Sequence, residues 1–171
     1  MTAQWILLTA LMHGQPSLPQ VAMVQYSYEP MVYLIADAFL VPRDIAMSVG
    51  YNESTFRPWK ITKSGKDHKG RSRGLYQIDK SNEKELVEKS GLNHKFRWNN
   101  AYDSAYVGIA YLSRLHKQFG NWILAVAAYN AGPGAITKAL KTGKRWPKET
   151  QVYVKRIFGD DLALAFLRYY S

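Results

Sequence analysis

Apolar residues repeat at helical spacing through most of the second half of the chain. They recur every three or four positions from 102 to 119, and this period predicts a long core helix that Gly120 ends. The next segment, 122–129, is apolar almost all round, and Asn121 before it is a favourable N-cap. We therefore expect this segment to be the central helix. Shorter helices are predicted at 81–89, 135–140, 147–158 and 160–170.

Proline and glycine interrupt the first half of the chain more often. Residues 13–28 are interpreted as a loop, and a buried helix is predicted over 30–40, where most residues are apolar. Pro42 suits the first turn of another helix, which is expected to end near Asn52 because Pro58 follows. Together the segments predict one mostly helical domain, with room for a single core.

Residues 57–80 differ in character from the helical segments on either side. They hold eight basic and two acidic side chains and contain two glycine turn signals. A small irregular segment or a short β-hairpin is therefore expected near 59–79. The alternation of residues 74–78 predicts a short extended segment at its end.

The N-terminus permits two interpretations. Residues 5–12 are apolar but far too few to span a bilayer. They resemble the hydrophobic part of a signal peptide, yet no lysine or arginine precedes them and no clear cleavage site follows. Residues 1–28 are therefore expected to be an atypical signal or an arm that packs against the domain formed by residues 29–171.

The formal net charge of +10 is unevenly distributed along the chain. Residues 1–50 contain one base and three acids, so the rest of the chain carries all of the net positive charge. Such a field favours an acidic partner: a nucleic acid, an anionic membrane surface or an anionic wall polymer. The chain has no cysteine and its four histidines are scattered, so no metal site and no cofactor are expected.

Glu53 is the strongest candidate for a catalytic group. It falls four residues after Val49 and eight after Ile45, which places it on the apolar face of its helix. It also lies near the helix C-terminus, the negative end of the helix dipole. Burial and the dipole both raise the pKa of a carboxyl, as a general acid working near neutral pH requires. The alternative is a solvated glutamate at a frayed helix end.

Two further segments carry polar side chains that need partners. Residues 74–77 end in the amide of Gln77, and the end of the most apolar helix carries the phenol of Tyr129 and the amide of Asn130. Such groups are costly to bury unless they are paired. A carboxylic acid, a phenol and two amides that converge in a cleft suit a polymer rich in hydroxyl and acetamido groups.

These segments resemble the motifs of the soluble lytic transglycosylases, relatives of goose-type lysozyme. The motifs follow in the family's order over roughly residues 31–158, and 128–134 matches without change. The chain departs from the pattern in a longer basic loop between the first two motifs, in Thr62 for serine and in Tyr76 for methionine. The other matching residues are Glu53, Ser54, Phe56, Pro58, Gly74, Leu75, Gln77, Glu149, Thr150, Tyr153 and Val154.

The resemblance implies a lysozyme-like α+β fold that is mostly helical, and an enzyme that cleaves peptidoglycan between N-acetylmuramic acid and N-acetylglucosamine. Glu53 would protonate the bridging oxygen and then act as base on the muramyl 6-hydroxyl, which closes a 1,6-anhydro ring. It further implies that Tyr129 hydrogen-bonds Glu53. The substrate-binding residues implied are Thr62, Tyr76, Gln77, Tyr129, Asn130 and Tyr153.

This scheme needs one carboxylate, whereas most glycosidases pair two. The only other acid between Glu53 and Gln77 is Asp67, inside the basic loop, so the sequence favours the anhydro product. A hydrolytic muramidase on the same fold and an inactive wall-binding or virion structural module remain as alternatives. The basic charge suggests a nucleic-acid binder, but no motif of that class is present.

The expected partner is the peptidoglycan glycan strand. We expect a monomer without a stable membrane span, with no nucleic acid bound. Because this substrate lies outside the cytoplasm, the protein is expected in the periplasm or cell wall, or carried in a phage particle.

Overall fold

The computed structural model describes residues 20–64 and 70–160, and within these ranges it contains seven α-helices and one three-stranded sheet. The helices are α1 (Gln20–Ala38), α2 (Arg43–Ser54), α3 (Glu83–Ser90), α4 (Ala101–Phe119), α5 (Trp122–Ala131), α6 (Pro133–Thr142) and α7 (Lys148–Phe158). The strands are β1 (Ile61–Ser64), β2 (Gly70–Arg73) and β3 (Ile78–Asp79). The mostly helical fold with a small β segment is confirmed.

Helices α4 and α5 form the centre of the core. Every side chain from 123 to 128 is buried, as the apolar sequence of α5 predicts. Asn121 begins this helix as predicted, because its side chain accepts hydrogen bonds from the backbone N–H groups of Ile123 and Leu124. Helices α6 and α7 pack on α5, and α7 also packs on α2. The C-terminal ends of α2 and α5 therefore both lie against α7, as the hydrogen bonds from Tyr153 to Glu53 and from Thr150 to Asn130 show.

Helix α1 begins earlier than the sequence predicts. It starts at Gln20 and contains Pro30, so the loop expected over 13–28 is wrong for its described part. Pro30 has no backbone N–H and removes one helical hydrogen bond, but the helix continues beyond it because Val32 and Ile35 are buried in the core. The predictions for residues 1–19 and for a helix over 160–170 lie outside the described residues, apart from residue 160.

The basic segment forms a β-hairpin, as predicted, to which a third strand is added. Both strand pairs are antiparallel. In this register Thr62 lies opposite Ser72, and Ser72 lies opposite Asp79. Because side chains alternate between the two faces of a strand, these three residues form one cross-strand row on one face of the sheet.

Residues 74–77 form a tight turn, so the extended segment predicted there is wrong. Gly74 and Gln77 both have positive φ, +84° and +49°. A Cβ on Gly74 would lie 2.2 Å from the backbone oxygen of Trp98, so only glycine fits. The turn joins β2 to β3, and the hydroxyl of Ser104 in α4 accepts a hydrogen bond from the backbone N–H of Tyr76. This bond holds the turn against the core.

Candidate active site

A cleft of about 580 Å³ lies between the sheet and the converging ends of α2 and α5. The cross-strand row of Thr62, Ser72 and Asp79 contributes to its lining on the sheet side. Further side chains come from the helix ends and the segments beside them. Among them are Glu53, Lys60, Gln77, Tyr111, Tyr129, Asn130 and Glu149.

Glu53 reaches this cleft because of the pattern of its helix. Ile45 and Val49, on the same face of α2, are buried in the core, and Glu53 follows them one turn further on, partly buried. The helix ends directly afterwards, where Thr55 adopts a left-handed conformation. The hydroxyl of Ser54 donates to the carbonyl of Leu75 at 2.8 Å and ties the helix end to the 74–77 turn. The left-handed Thr55 and the hydrogen bond of Ser54 together fix the position of Glu53 at the end of the helix.

The environment of Glu53 favours its neutral form near pH 7. Burial raises the pKa of the Glu53 carboxyl to about 7, and the negative charge of Glu149 adds to this rise. Two contacts act in the opposite direction: a hydrogen bond from Tyr153 and the positive charge of Lys60. The hydroxyl of Tyr153 donates to Oε1 of Glu53 at 2.6 Å. The result is a carboxyl that can both give and accept a proton at neutral pH.

The tyrosine that hydrogen-bonds Glu53 is Tyr153, and the prediction that Tyr129 does so is wrong. The hydroxyl of Tyr129 donates instead to the backbone carbonyl of Tyr76 at 2.8 Å. This bond uses the only proton of the phenol and joins α5 to the 74–77 turn. Tyr129 still lines the cleft.

Gln77 lines the cleft and has one buried acceptor without a hydrogen-bond partner among the described residues. Its Nε2 donates to the backbone carbonyls of Gly74 at 2.8 Å and Lys60 at 3.1 Å, which fixes the orientation of the amide. Its Oε1 is buried and accepts no hydrogen bond from any described residue. Gln77 also has a positive φ, a strained conformation that is frequent at functional sites.

Tyr76 is a core residue, so its predicted substrate contact is wrong. Its side chain is fully buried, and its hydroxyl donates to the backbone carbonyl of Ala46 at 2.8 Å. Its ring lies against Gly50 and Gly108, where an added Cβ would come within 3.1 Å and 2.4 Å of Tyr76 side-chain atoms. Burial raises the pKa of the Tyr76 phenol, which remains a neutral donor.

The other predicted substrate-binding residues differ in their placement. Thr62 is exposed in the cleft on β1. Asn130 lines the opposite side, and its Oδ1 accepts a hydrogen bond from the hydroxyl of Thr150 at 2.8 Å, which orients the amide. Tyr153 is buried and is not among the residues that line the cleft; its hydroxyl donates a hydrogen bond to Glu53 instead.

Several residues of the cleft lining were not predicted as site residues, among them Lys60, Ser72, Asp79 and Glu149. Asp79 and Glu149 give the cleft two carboxylates besides Glu53, so the argument from a single carboxylate is wrong. Knowledge of the strand register would have predicted Ser72 and Asp79 as neighbours of Thr62. The sequence alone does not give this register, because the pairing of the strands is set by tertiary structure. Within the described part of the chain, no three metal-ligating side chains come together in a way that could hold a metal ion.

No helix among the described residues is long and apolar enough to cross a membrane. This finding concerns α1 to α7 alone.

The sequence is similar to several lytic murein transglycosylases. Membrane-bound lytic murein transglycosylase D of Escherichia coli K12 is 33% identical over 92 residues, which cover 43% of this chain and 20% of the relative. Membrane-bound lytic murein transglycosylase F of Hahella chejuensis is 29% identical over 124 residues, which cover 68% of this chain and 22% of the relative. The chain thus matches only about a fifth of these relatives' length.

Two solved structures share the fold. The 70 kDa soluble lytic transglycosylase SLT70 of Escherichia coli superposes with a TM-score of 0.68 at 25% identity, over 84% of this chain and 24% of that one. The inactive glutamate-to-glutamine variant of lytic transglycosylase Slt from Pseudomonas aeruginosa superposes with a TM-score of 0.58 at 26% identity. The superposition covers 82% of this chain and 22% of that one.

The family model for the transglycosylase SLT domain matches residues 33–152, well over half of the chain. The match contains Glu53, the 74–77 turn and the end of α5, which together form the cleft described above. The chain belongs to the transglycosylase SLT domain family.

Proposed function

We propose that this chain is a lytic transglycosylase that cleaves the β-1,4 bond between N-acetylmuramic acid and N-acetylglucosamine in peptidoglycan. The observation that carries the proposal is the Glu53 carboxyl, which lies in the cleft with a pKa of about 7 and accepts a hydrogen bond from Tyr153. At neutral pH about half of such carboxyls hold a proton, so the group is suited to act first as acid and then as base.

The reaction would proceed in two proton transfers through Glu53. In the first, Glu53 protonates the bridging oxygen as the bond from that oxygen to the muramyl C1 breaks. In the second, the Glu53 carboxylate accepts the proton of the muramyl 6-hydroxyl while the 6-oxygen bonds to C1. The ring closes as a 1,6-anhydro sugar, no water is consumed, and Glu53 returns to its protonated form. The substrate acetamido group assists at C1.

The cleft offers hydrogen-bonding groups suited to this glycan. Gln77 lines the cleft, and its Oε1 has no partner among the described residues, but this oxygen is buried. The side chain must therefore turn toward the cleft before Oε1 can accept from an acetamido N–H or a sugar hydroxyl. Thr62 and Asn130 line the same cleft and bind hydroxyl and acetamido groups from the sheet and helix sides. The names of the relatives refer to murein, which supports the proposal that the protein acts outside the cytoplasm. We propose the periplasm, the cell wall or a phage particle as its location.

A second candidate function is hydrolysis of the same bond, and the two additional cleft carboxylates favour it. Most glycosidases that hydrolyse such a bond pair the acid with a second carboxylate, which in inverting enzymes activates a water molecule. Asp79 on β3 and Glu149 on α7 both line the cleft with Glu53. We favour the transglycosylase because the relatives at up to 33% identity carry that name.

The products distinguish the two functions. Digestion of purified peptidoglycan is expected to give muropeptides that end in 1,6-anhydromuramic acid, lighter by one water than hydrolysis products and inert to borohydride. Mass spectrometry without prior reduction measures both species. A digest dominated by borohydride-reducible ends contradicts the transglycosylase and supports the muramidase.

Replacing Tyr153 by Phe is expected to lower kcat roughly 2- to 10-fold, the equivalent of one neutral hydrogen bond. Because the Tyr153 hydrogen bond lowers the pKa of Glu53, its loss raises that pKa, and the alkaline limb of the pH profile moves upward. The measurement is peptidoglycan clearance against pH. Tyr102→Phe, at an exposed position of α4, is the matched control. A Tyr153→Phe profile that matches the parent's would remove Tyr153 from this role.

A further inference from the structure

Lys60 connects two parts of the candidate active site. Its backbone carbonyl accepts hydrogen bonds from the N–H of Gly74 at 3.0 Å and from Nε2 of Gln77 at 3.1 Å. Its side-chain Nζ donates to the backbone carbonyl of Glu53 at 2.6 Å. One half-buried residue thus joins the 74–77 turn to the end of α2.

The ammonium of Lys60 lies where a helix favours a cation. The carbonyl of Glu53 is among the last four of α2, which have no partner within the helix. These carbonyls form the negative end of the helix dipole, and a lysine that binds them is stabilising. The contact therefore fixes the helical turn that carries the Glu53 side chain.

Lys60 also lines the cleft, so its charge acts on the Glu53 side chain from within the site. Among the described residues, the other groups that act on Glu53 are neutral or negative. Tyr153 and Glu149 face it from α7, and Tyr129 faces it from α5. Asp79 lies on the sheet side of the same cleft. Lys60 supplies the positive charge that opposes burial and Glu149.

We propose that Lys60 is a positioning residue for the general acid: its ammonium holds the last turn of α2, which carries the Glu53 side chain into the cleft. Its positive charge acts on the Glu53 carboxyl from the same position. The proposal rests on the catalytic role proposed for Glu53. It assigns to Lys60 a function that does not require contact with the substrate.

Neutral variants are expected to move the alkaline limb of the pH profile of kcat/KM to higher pH. Without the cation, Glu53 keeps its proton to higher pH, because Lys60 lowers its pKa. Lys60→Gln keeps a hydrogen-bond donor without the charge, and Lys60→Met keeps only the length of the side chain. Lys60→Arg keeps the charge and is expected to restore the parent profile. Lys95→Gln, at an exposed loop position outside the cleft, makes the same charge change as a control.

The test combines these profiles with a ¹³C NMR titration of the Glu53 carboxyl, identified by its absence in Glu53→Gln. A higher Glu53 pKa in both neutral variants, parent behaviour in Lys60→Arg and no change in Lys95→Gln support the proposal. An unmoved Glu53 titration overturns it, and so does a rise in KM without any movement of the profile, which would assign Lys60 to substrate binding. Should either neutral variant fail to fold, the other is titrated against Lys60→Arg.

The proposed function fails separately from this inference. Retained cleavage by Glu53→Gln overturns the role of Glu53, whereas the NMR titration reports the effect of Lys60 without any turnover. If Glu53→Gln is inactive and the titration of Glu53 is unaffected by Lys60→Gln, only the inference about Lys60 is lost.

Discussion

Glu53→Gln is expected to reduce cleavage of peptidoglycan by roughly 10²- to 10⁴-fold, the contribution typical of a general acid or base. Glutamine keeps the shape of the side chain, and its carbonyl can still accept the hydrogen bond from Tyr153. It cannot deliver or take up a proton, so the chemical step is lost while the cleft is preserved. The measurement is turbidity clearance, with binding to insoluble wall measured in parallel.

The matched control is Glu88→Gln, at an exposed position of α3, which is expected to keep parent activity. Clearance by folded Glu53→Gln at the parent rate would exclude Glu53 as the catalytic group. If the parent protein binds the wall but clears none of it, the inactive wall-binding module becomes the better interpretation.

The same substitution is expected to stabilise the fold at alkaline pH. Burial raises the pKa of Glu53 from 4.5 to about 7, so the folded protein holds this proton more tightly than the unfolded chain does. As pH rises from about 4.5 to 7, the parent therefore loses stability from this group, up to about 3 kcal/mol. Glutamine has no charge to bury, so urea unfolding at pH 8 should favour the variant, and the difference should vanish near pH 4.

Gly74→Ala is expected to cost roughly 2–5 kcal/mol of unfolding free energy, because backbone strain and overpacking act together. Gly74 has a φ of +84°, and a Cβ there would lie 2.2 Å from the backbone oxygen of Trp98 and 2.7 Å from Oγ of Ser104. The backbone oxygen cannot turn aside as the end of a flexible side chain can. Urea unfolding measures the loss, and activity falls because the turn carries Gln77.

Gly91→Ala separates the two causes. Gly91 has a similar φ of +77°, but nothing lies within 4 Å of an added Cβ. Its substitution is expected to cost only the strain, about 1–2 kcal/mol. Equal losses in the two variants would show that the close approach to Trp98 does not limit this position.

The sequence alone determined the helical framework of this protein. Apolar side chains at 102–119 repeat with a helical period, and residues 122–129 are apolar almost all round, as expected of a buried helix. Gly120 ends the first helix through its left-handed conformation, and Asn121 begins the second by accepting hydrogen bonds from backbone N–H groups. The same local reasoning placed Glu53 on the apolar face near the end of its helix. Both features depend on neighbours within a few residues along the chain.

Tertiary structure decided which side chains surround Glu53. Tyr153 lies one hundred residues from Glu53 in sequence, and its hydrogen bond exists because α7 packs on α2. The positive φ values of Gly74 and Gln77 replace the expected strand by a turn, and Tyr76 lies in the core rather than in the cleft. Local periodicity carries no information on these contacts.

Tertiary structure also decided which carboxylates reach the cleft. Asp79 reaches it through the pairing of three strands, and Glu149 reaches it through the packing of α7. Lys60 belongs to a run of basic residues that is typical of an exposed loop, yet its ammonium binds the end of α2. Periodicity and capping are properties of short segments, so sequence determines them, whereas the charge around a carboxyl depends on distances between segments that only the fold establishes.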